Sequence, residues 1–193
     1  MSTVTLTSEL EAVNTMLDAA GESPVSSLIN SGLADVAEAS KLLDEMSRSV
    51  QSPGWVFNTE YEYPLVRDVS NNLPLPVNTL GIYADGSYTE GDIVQRGLRV
   101  YDRKNHTYIF TKNITSTIVF LLGWDDLPQT ARQYIMVKAA RAHQARVLGS
   151  ESLHKFTADE EMELLIAFKN AEGDSGLWNI LNGNMSVANI LDR

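Results

Sequence analysis

Ser175 is the first residue to weigh for chemistry, because Gly173-Asp174-Ser175-Gly176 has the spelling of the nucleophile motif in chymotrypsin-like proteases. That chemistry needs a histidine base and a buried aspartate on a β-barrel scaffold, both placed before the serine. Here the tetrapeptide follows a helical run and the histidines lack those surroundings, so it reads as a helix-terminating turn. His106, His143 and His154 show no His-Glu-x-x-His spacing, and the chain has no cysteine. Disulfides, Cys-ligated zinc and a thiol nucleophile are thereby excluded. Surface histidine is the default reading, with His143 inside a helix and His106 in a turn. Paired carboxylates support glycoside cleavage when they flank a scissile bond. Asp125-Asp126, Glu160-Glu161 and Glu60/Glu62 qualify by residue type alone, and acidic chains carry such pairs routinely. A glycan hydrolase acting on peptidoglycan or capsule stays as the alternative. No catalytic, cofactor-binding or metal-ligating residue is assigned, and no cofactor is expected.

Charge bears on partners more than on catalysis. The net charge is −10 over 193 residues, and it is uneven. Residues 1–50 carry eight acidic and two basic side chains, residues 51–150 nine and ten, and residues 151–193 eight and three. Acidic ends and a neutral middle argue against wrapping nucleic acid, which needs a basic footprint. Arg96, Arg99, Arg103 and Lys104 alternate on a hairpin. Arg132, Lys138, Arg141 and Arg146 point to several sides of a helix and make no stripe. Pairing of these cations with the acidic ends of a neighbouring copy is the favoured use. No apolar stretch is long enough to span a bilayer, and Met1 is not followed by a signal-peptide pattern.

The elements that must position these residues suggest an α+β chain. A helical bundle of about four helices comes from both chain ends, with an antiparallel β subdomain inserted between them and an extended C-terminal arm. The expected divisions are 1–54, 55–124, 125–172 and 173–193. Ser8 and Glu11 form a capping box for a helix over 8–20, and Gly21 stands where a left-handed terminator belongs. Val36, Ala39, Leu43, Met46 and Val50 recur at helical spacing over 34–52, where Pro53-Gly54 stops the run. From Trp55 the pattern turns extended, broken by Pro64, Pro74 and Pro76. Asp85-Gly86 marks a turn, and a hairpin is expected around Lys104-Asn105. Pro128 opens a long helix to Leu148, and Thr157 with Glu160 caps a last one with Leu164, Leu165 and Phe168 on its core face. Beyond Glu172, Trp178, Leu181, Ile190 and Leu191 stand among flexible Gly and Asn residues. Aromatic anchors in such surroundings suit a docking segment.

Several blocks share their order with a known family. They are Ala12 to Val25, Ser52-Pro53-Gly54-Trp55-Val56-Phe57-Asn58, Tyr101-Asp102-Arg103, Leu127-Pro128 with Tyr134, Lys138, Ala139 and Arg141, and a final Leu191-Asp192-Arg193. In this order the chain resembles the tail tubular protein A family, the adaptor or gatekeeper of short-tailed phages. The stretch from Arg67 to Arg96 departs from the pattern, and no contacts are carried over there. The resemblance implies a non-enzymatic virion protein, assembled in the host cytoplasm, that forms a twelve-copy ring between the portal protein and the nozzle (tail tubular protein B). Tail fibres are a further partner it allows. DNA would pass through the centre without specific binding, and no membrane is involved. The C-terminal arm would reach the portal through Trp178, Leu181, Ile190 and Leu191.

Overall fold

Ser8 and Glu11 close a reciprocal cap at the start of α1 (Glu9–Ala19). Ser8 Oγ accepts from the Glu11 N–H at 3.2 Å, and Glu11 Oε2 accepts from the Ser8 N–H at 2.7 Å. Gly21 ends the helix at φ +81°, which lets the Gly21 and Glu22 N–H groups donate to the carbonyls of Asp18 and Leu17, each at 2.9 Å. Asn14 then reaches across the turn. Its Nδ2 donates to Val25 O at 2.9 Å and its Oδ1 accepts from the Val25 N–H at 2.8 Å. One amide side chain thus ties the returning loop to the helix it left.

The structure is a computed structural model that describes residues 5–29, 32–147 and 151–183, the side chains of 151–157 and 176–183 excepted. The chain divides into two units, Met1–Val50 with Gly123–Arg193, and Gln51–Leu122. The first holds α1, most of α2 (Ala34–Gln51), α3 (Gln129–Val147) and α4 (Glu151–Gly183), and α3 packs against both α1 and α4. Ala12, Val13, Met16 and Leu17 of α1 are buried, as are Val36, Ala39, Leu42 and Leu43 of α2. Ala131, Ile135 and Ala139 are fully buried on α3. Phe168 of α4 stacks on Tyr134 with ring centres 5.8 Å apart, and its burial contributes about 1.5–3 kcal/mol. Leu164 and Leu165 are only half-buried beside it.

In the second unit the regular elements are strands, apart from the last residue of α2 and one 3-10 turn. β5 (Ile114–Phe120) lies between β1 (Thr59–Leu65) and β2 (Thr79–Tyr83), antiparallel to both, while β3 (Ile93–Arg96) and β4 (Arg99–Asp102) pair as a hairpin. Leu65, Leu73, Leu75, Ile93, Val100, Phe110, Ile114, Ile118 and Phe120 form its core. β1 is an edge strand carrying Pro64 and a bulge between Glu60 and Tyr63, both of which discourage further strand pairing. The fold class expected from the sequence is therefore observed: α+β, with four helices drawn from both ends and antiparallel strands between.

Four local expectations change. Val56–Asn58 is a single 3-10 turn, not strand. Asn58 causes it: the buried amide accepts from the Trp55 N–H at 2.8 Å and donates to Gln51 O and Phe120 O at 3.0 and 2.8 Å. The hairpin closes at Gly97-Leu98, where Gly97 takes φ +62°, and Lys104-Asn105 sits in a second turn bounded by the Asp102–Thr107 bridge. The last helix starts at Glu151, not Thr157. It also continues through Gly173–Gly176 to Gly183, so the described part of the expected arm is helical backbone. Glycine costs a helix only about 1 kcal/mol, too little to stop a long one.

Candidate functional site

The N-terminal segment is held to the start of α3 by a buried cation. Arg132 is 4% exposed and donates to three backbone carbonyls: Leu127 O from Nε at 2.9 Å, Thr7 O from Nη1 at 3.0 Å and Asp125 O from Nη2 at 2.6 Å. Trp124 Nε1 also donates to Thr7 O, at 2.9 Å. Gln129 completes the grip, accepting from the Thr7 N–H at 3.0 Å and donating to Thr7 Oγ1 at 2.7 Å. A planar fork with several fixed donors suits scattered carbonyls in a way a lysine does not. Arg132 therefore leaves the group of surface cations to which its spacing assigned it. Nearby, the exposed Glu9 carboxyl is pushed up by partial burial and then by the Asp44 and Asp125 carboxylates.

A second polar centre lies in the β unit. Burial would raise the Asp102 carboxyl, but hydrogen bonds from the Asn105 backbone, the Tyr88 hydroxyl, the Asn105 side chain and the Asp92 backbone hold it far below the usual carboxylate range. Its Oδ1 accepts N–H groups of Asp92, Lys104 and Asn105 at 3.2, 2.9 and 3.0 Å, and its Oδ2 accepts Tyr88 Oη–H at 2.7 Å and Asn105 Nδ2–H at 2.8 Å. Tyr88 is pushed up to about 12 by burial and by that carboxylate. Asp102 is thus an acceptor that never needs a proton near neutrality, and its role is to organise the loop. At Gly91 a Cβ would fall on the Asp102 carboxylate and the Tyr88 ring, so only glycine fits.

The β3–β4 hairpin presents cations. Arg96 and Arg99 face each other across the ladder, the Arg96 guanidinium 3.7 Å over the Tyr101 ring and that of Arg99 4.7 Å over Tyr108. Those two rings meet edge-on at 4.7 Å. Arg103 pairs with Asp92 and Lys112 with Glu90, at exposed positions where such pairs contribute about 0–1 kcal/mol. Among the described residues, no ion pair forms at Arg96, Arg99 or Lys104. Asp68, near enough to feel Arg99, is held low first by the Asn72 backbone N–H, with Arg99 the smallest influence.

The residues singled out by sequence fare differently. Trp178 and Leu181 lie on the α4 backbone, but their side chains are outside the described residues, as are Ile190 and Leu191 entirely. Ser175 sits within α4 and its hydroxyl donates to Ala171 O at 2.9 Å, the usual back-bond of a helical serine. His143 is not on the surface: it is 1% exposed, and neither ring nitrogen has a hydrogen-bond partner among the described residues. His106 occupies an exposed turn at φ +51°. Among the described residues, no group of three or more His, Asp or Glu side chains is arranged to hold a metal ion. Glu161 pairs with Arg141 at 2.6 Å rather than with Glu160. An open groove of about 580 Å³ in the helical unit is lined by Glu11 and Asp18 among others. Glu11 is held low by the Ser8 backbone and side chain, the wrong direction for a general acid. No helix among the described residues is long and apolar enough to cross a membrane.

Gln51, Asn58 and Asn14 were also missed by sequence reasoning. The Gln51 amide donates to Leu122 O at 3.2 Å and accepts from the Leu122 N–H at 2.8 Å, binding together the two ends of the β unit. A polar residue inside a helical or extended pattern carries no sign that it is buried. Comparison with known proteins adds a family: the model described as tail tubular protein matches residues 10–177. No curated protein matches the chain.

Proposed function

Because the chain belongs to the tail tubular protein family, and is thus a structural protein of a phage virion tail, we propose that it is the adaptor that joins portal to nozzle. The observation that carries this reading is the span of the match, residues 10–177, which takes in both units instead of a single element. In this role twelve copies form a ring, the C-terminal segment with Trp178, Leu181, Ile190 and Leu191 docks on the portal, and DNA passes through the centre during ejection. Charge supports the passage. The helical unit carries eighteen acidic and nine basic side chains, and a lumen lined with acids repels phosphates and lets duplex slide. Assembly in the host cytoplasm and contact with tail fibres belong to the same proposal. The glycan-hydrolase alternative finds little among the described carboxylates. The one pushed up, Glu9, is exposed and lines neither the groove beside Glu11 nor the cavity beside Arg141 and Glu161.

The test mixes purified protein with portal rings and reads stoichiometry by native mass spectrometry and electron microscopy. A twelve-membered ring on the portal is expected, and a chain lacking residues 173–193 is expected to fail to dock. A truncated chain that assembles like wild type sinks the docking segment. A wild-type chain that ignores the portal but clears peptidoglycan or capsule overturns the adaptor reading.

A further inference from the structure

The β3–β4 hairpin places two like charges directly opposite each other, an arrangement that costs stability unless something offsets it. Tyr101 and Tyr108 offset part of it by taking one guanidinium each on their faces. They also fix both side chains, so little side-chain entropy remains to be lost on binding. The hairpin itself is pinned on its second edge, where Leu75 N–H donates to Leu98 O and Val100 N–H to Leu73 O, both at 3.0 Å. Between the arginines stands Leu98, 47% exposed, and Ile109 nearby is 62% exposed. Arginine and tyrosine around an apolar centre, held rigid and free of ion pairs among the described residues, make the composition of an interface core.

The occupant is indicated by charge on the same chain. The β unit is nearly neutral, with seven acidic and six basic side chains, whereas the helical unit has twice as many acids as bases. Within the helical unit, Glu9, Asp44 and Asp125 are all exposed, and one Arg132 guanidinium holds the carbonyls of Asp125 and of Thr7, two residues before Glu9. Burial, and after it the Asp44 and Asp125 carboxylates, push the Glu9 carboxyl up. Exposed carboxylates on one face favour an incoming cation, as two arginines on one side favour incoming anions. We infer that the Arg96–Arg99 hairpin of one copy docks on the Glu9, Asp44 and Asp125 face of the helical unit of the next copy. The contact is heterologous, because different patches meet, and heterologous contacts repeated by rotation generate rings. It names the faces by which copies meet and rests on the ring reading above. A nucleic-acid phosphate is the rival ligand for two arginines. The overall charge of −10 disfavours it.

The test is a charge swap. One variant carries Arg96→Glu and Arg99→Glu, and a second carries Glu9→Lys, Asp44→Lys and Asp125→Lys. Circular dichroism checks that each is folded, and Arg96→Gln with Arg99→Gln is a milder version if the reversal disturbs the hairpin. Assembly is read by sedimentation at low and high salt, on portal rings if the free chain does not associate. Each reversed variant alone is expected to lose association by about tenfold or more, and an equimolar mixture to regain it by alternating around the ring. High salt is expected to weaken wild-type assembly. Folded variants that form rings as well as wild type overturn the contact while leaving the adaptor reading intact. So does a mixture that stays apart. Rings unchanged by the hairpin variants, with loss only of duplex DNA binding, assign the arginines to phosphate instead. Wild-type protein that makes no ring even on the portal removes the adaptor reading and this contact with it.

Discussion

Arg132→Met removes a buried guanidinium and leaves its acceptors behind. Thr7 O keeps the Trp124 indole N–H, so the loss falls on Leu127 O and Asp125 O, which sit 2.9 and 2.6 Å from the missing nitrogens. Leaving a buried acceptor without its partner costs about 1–3 kcal/mol. Leu127 O is buried and bears that cost, whereas Asp125 O belongs to an exposed residue that water can reach and bears less. With relief from the desolvated charge returning part of it, a net loss of about 1–3 kcal/mol is expected. Arg132→Lys should recover a fraction only, since one ammonium on a flexible stem cannot reach three separated carbonyls with good geometry. Urea unfolding followed by far-ultraviolet circular dichroism measures this, because the helical unit dominates that signal. The midpoint should fall without a change in slope. Hydrogen exchange at the Thr7 amide, which donates to Gln129 Oε1, should quicken in parallel as the segment loosens. A loss within about 0.5 kcal/mol, with Thr7 protected as before, would refute the reasoning by showing that water or a small shift satisfies both carbonyls.

The Asp102 carboxyl is held low in the folded chain, so its stabilisation is present above the unfolded aspartate value of about 3.9 and is lost as pH falls below it. Asp102→Asn should lower stability at neutral pH and flatten the acid limb of the stability curve, and two superimposable acid limbs would count against the role given to the carboxylate. Gly91→Ala places a methyl on Asp102 and Tyr88 and should cost about 1–3 kcal/mol in thermal unfolding, without any left-handed backbone to blame. Gln51→Leu withdraws the side-chain partners of the Leu122 N–H and C=O and should cost about 1–3 kcal/mol, seen as faster hydrogen exchange at Leu122.

What sequence showed and what it hid divide along physical lines. Helix ends written in local chemistry were legible: Ser8 with Glu11 opened α1, Gly21 closed it, and Pro128 stood before α3. The apolar faces were legible too, since Val13, Leu17, Val36, Ala39 and Ile135 recur at the helical period and are buried. Glycine misled in both directions. Gly97 closes the hairpin in a left-handed turn, while Gly173 is simply absorbed by a helix long enough to carry it. Of the candidate docking anchors, two lie on α4 backbone and two outside the described residues, so the proposal for them rests on family and composition.

The hidden residues are those whose partners are distant in the chain. Arg132 looked like one of four scattered cations, yet its acceptors include Thr7, 125 positions earlier. Gln51 bonds a residue 71 positions on, and Asn58 one 62 positions on. Each has a side chain that a sequence places on the surface by default, and each is buried because the backbone around it needs donors or acceptors that no ladder supplies. The same need explains the 12–25 block. Its glycine and proline read as a turn, but Asn14 is what closes it, by pairing with both polar groups of the Val25 backbone. Such residues hold loops, segment ends and chain crossings in place, and in a protein whose work is to fit against neighbours those are the parts that must not move. Arg96 and Arg99 are the counterexample: exposed, and paired with rings instead of acids, as the contact proposed between copies requires.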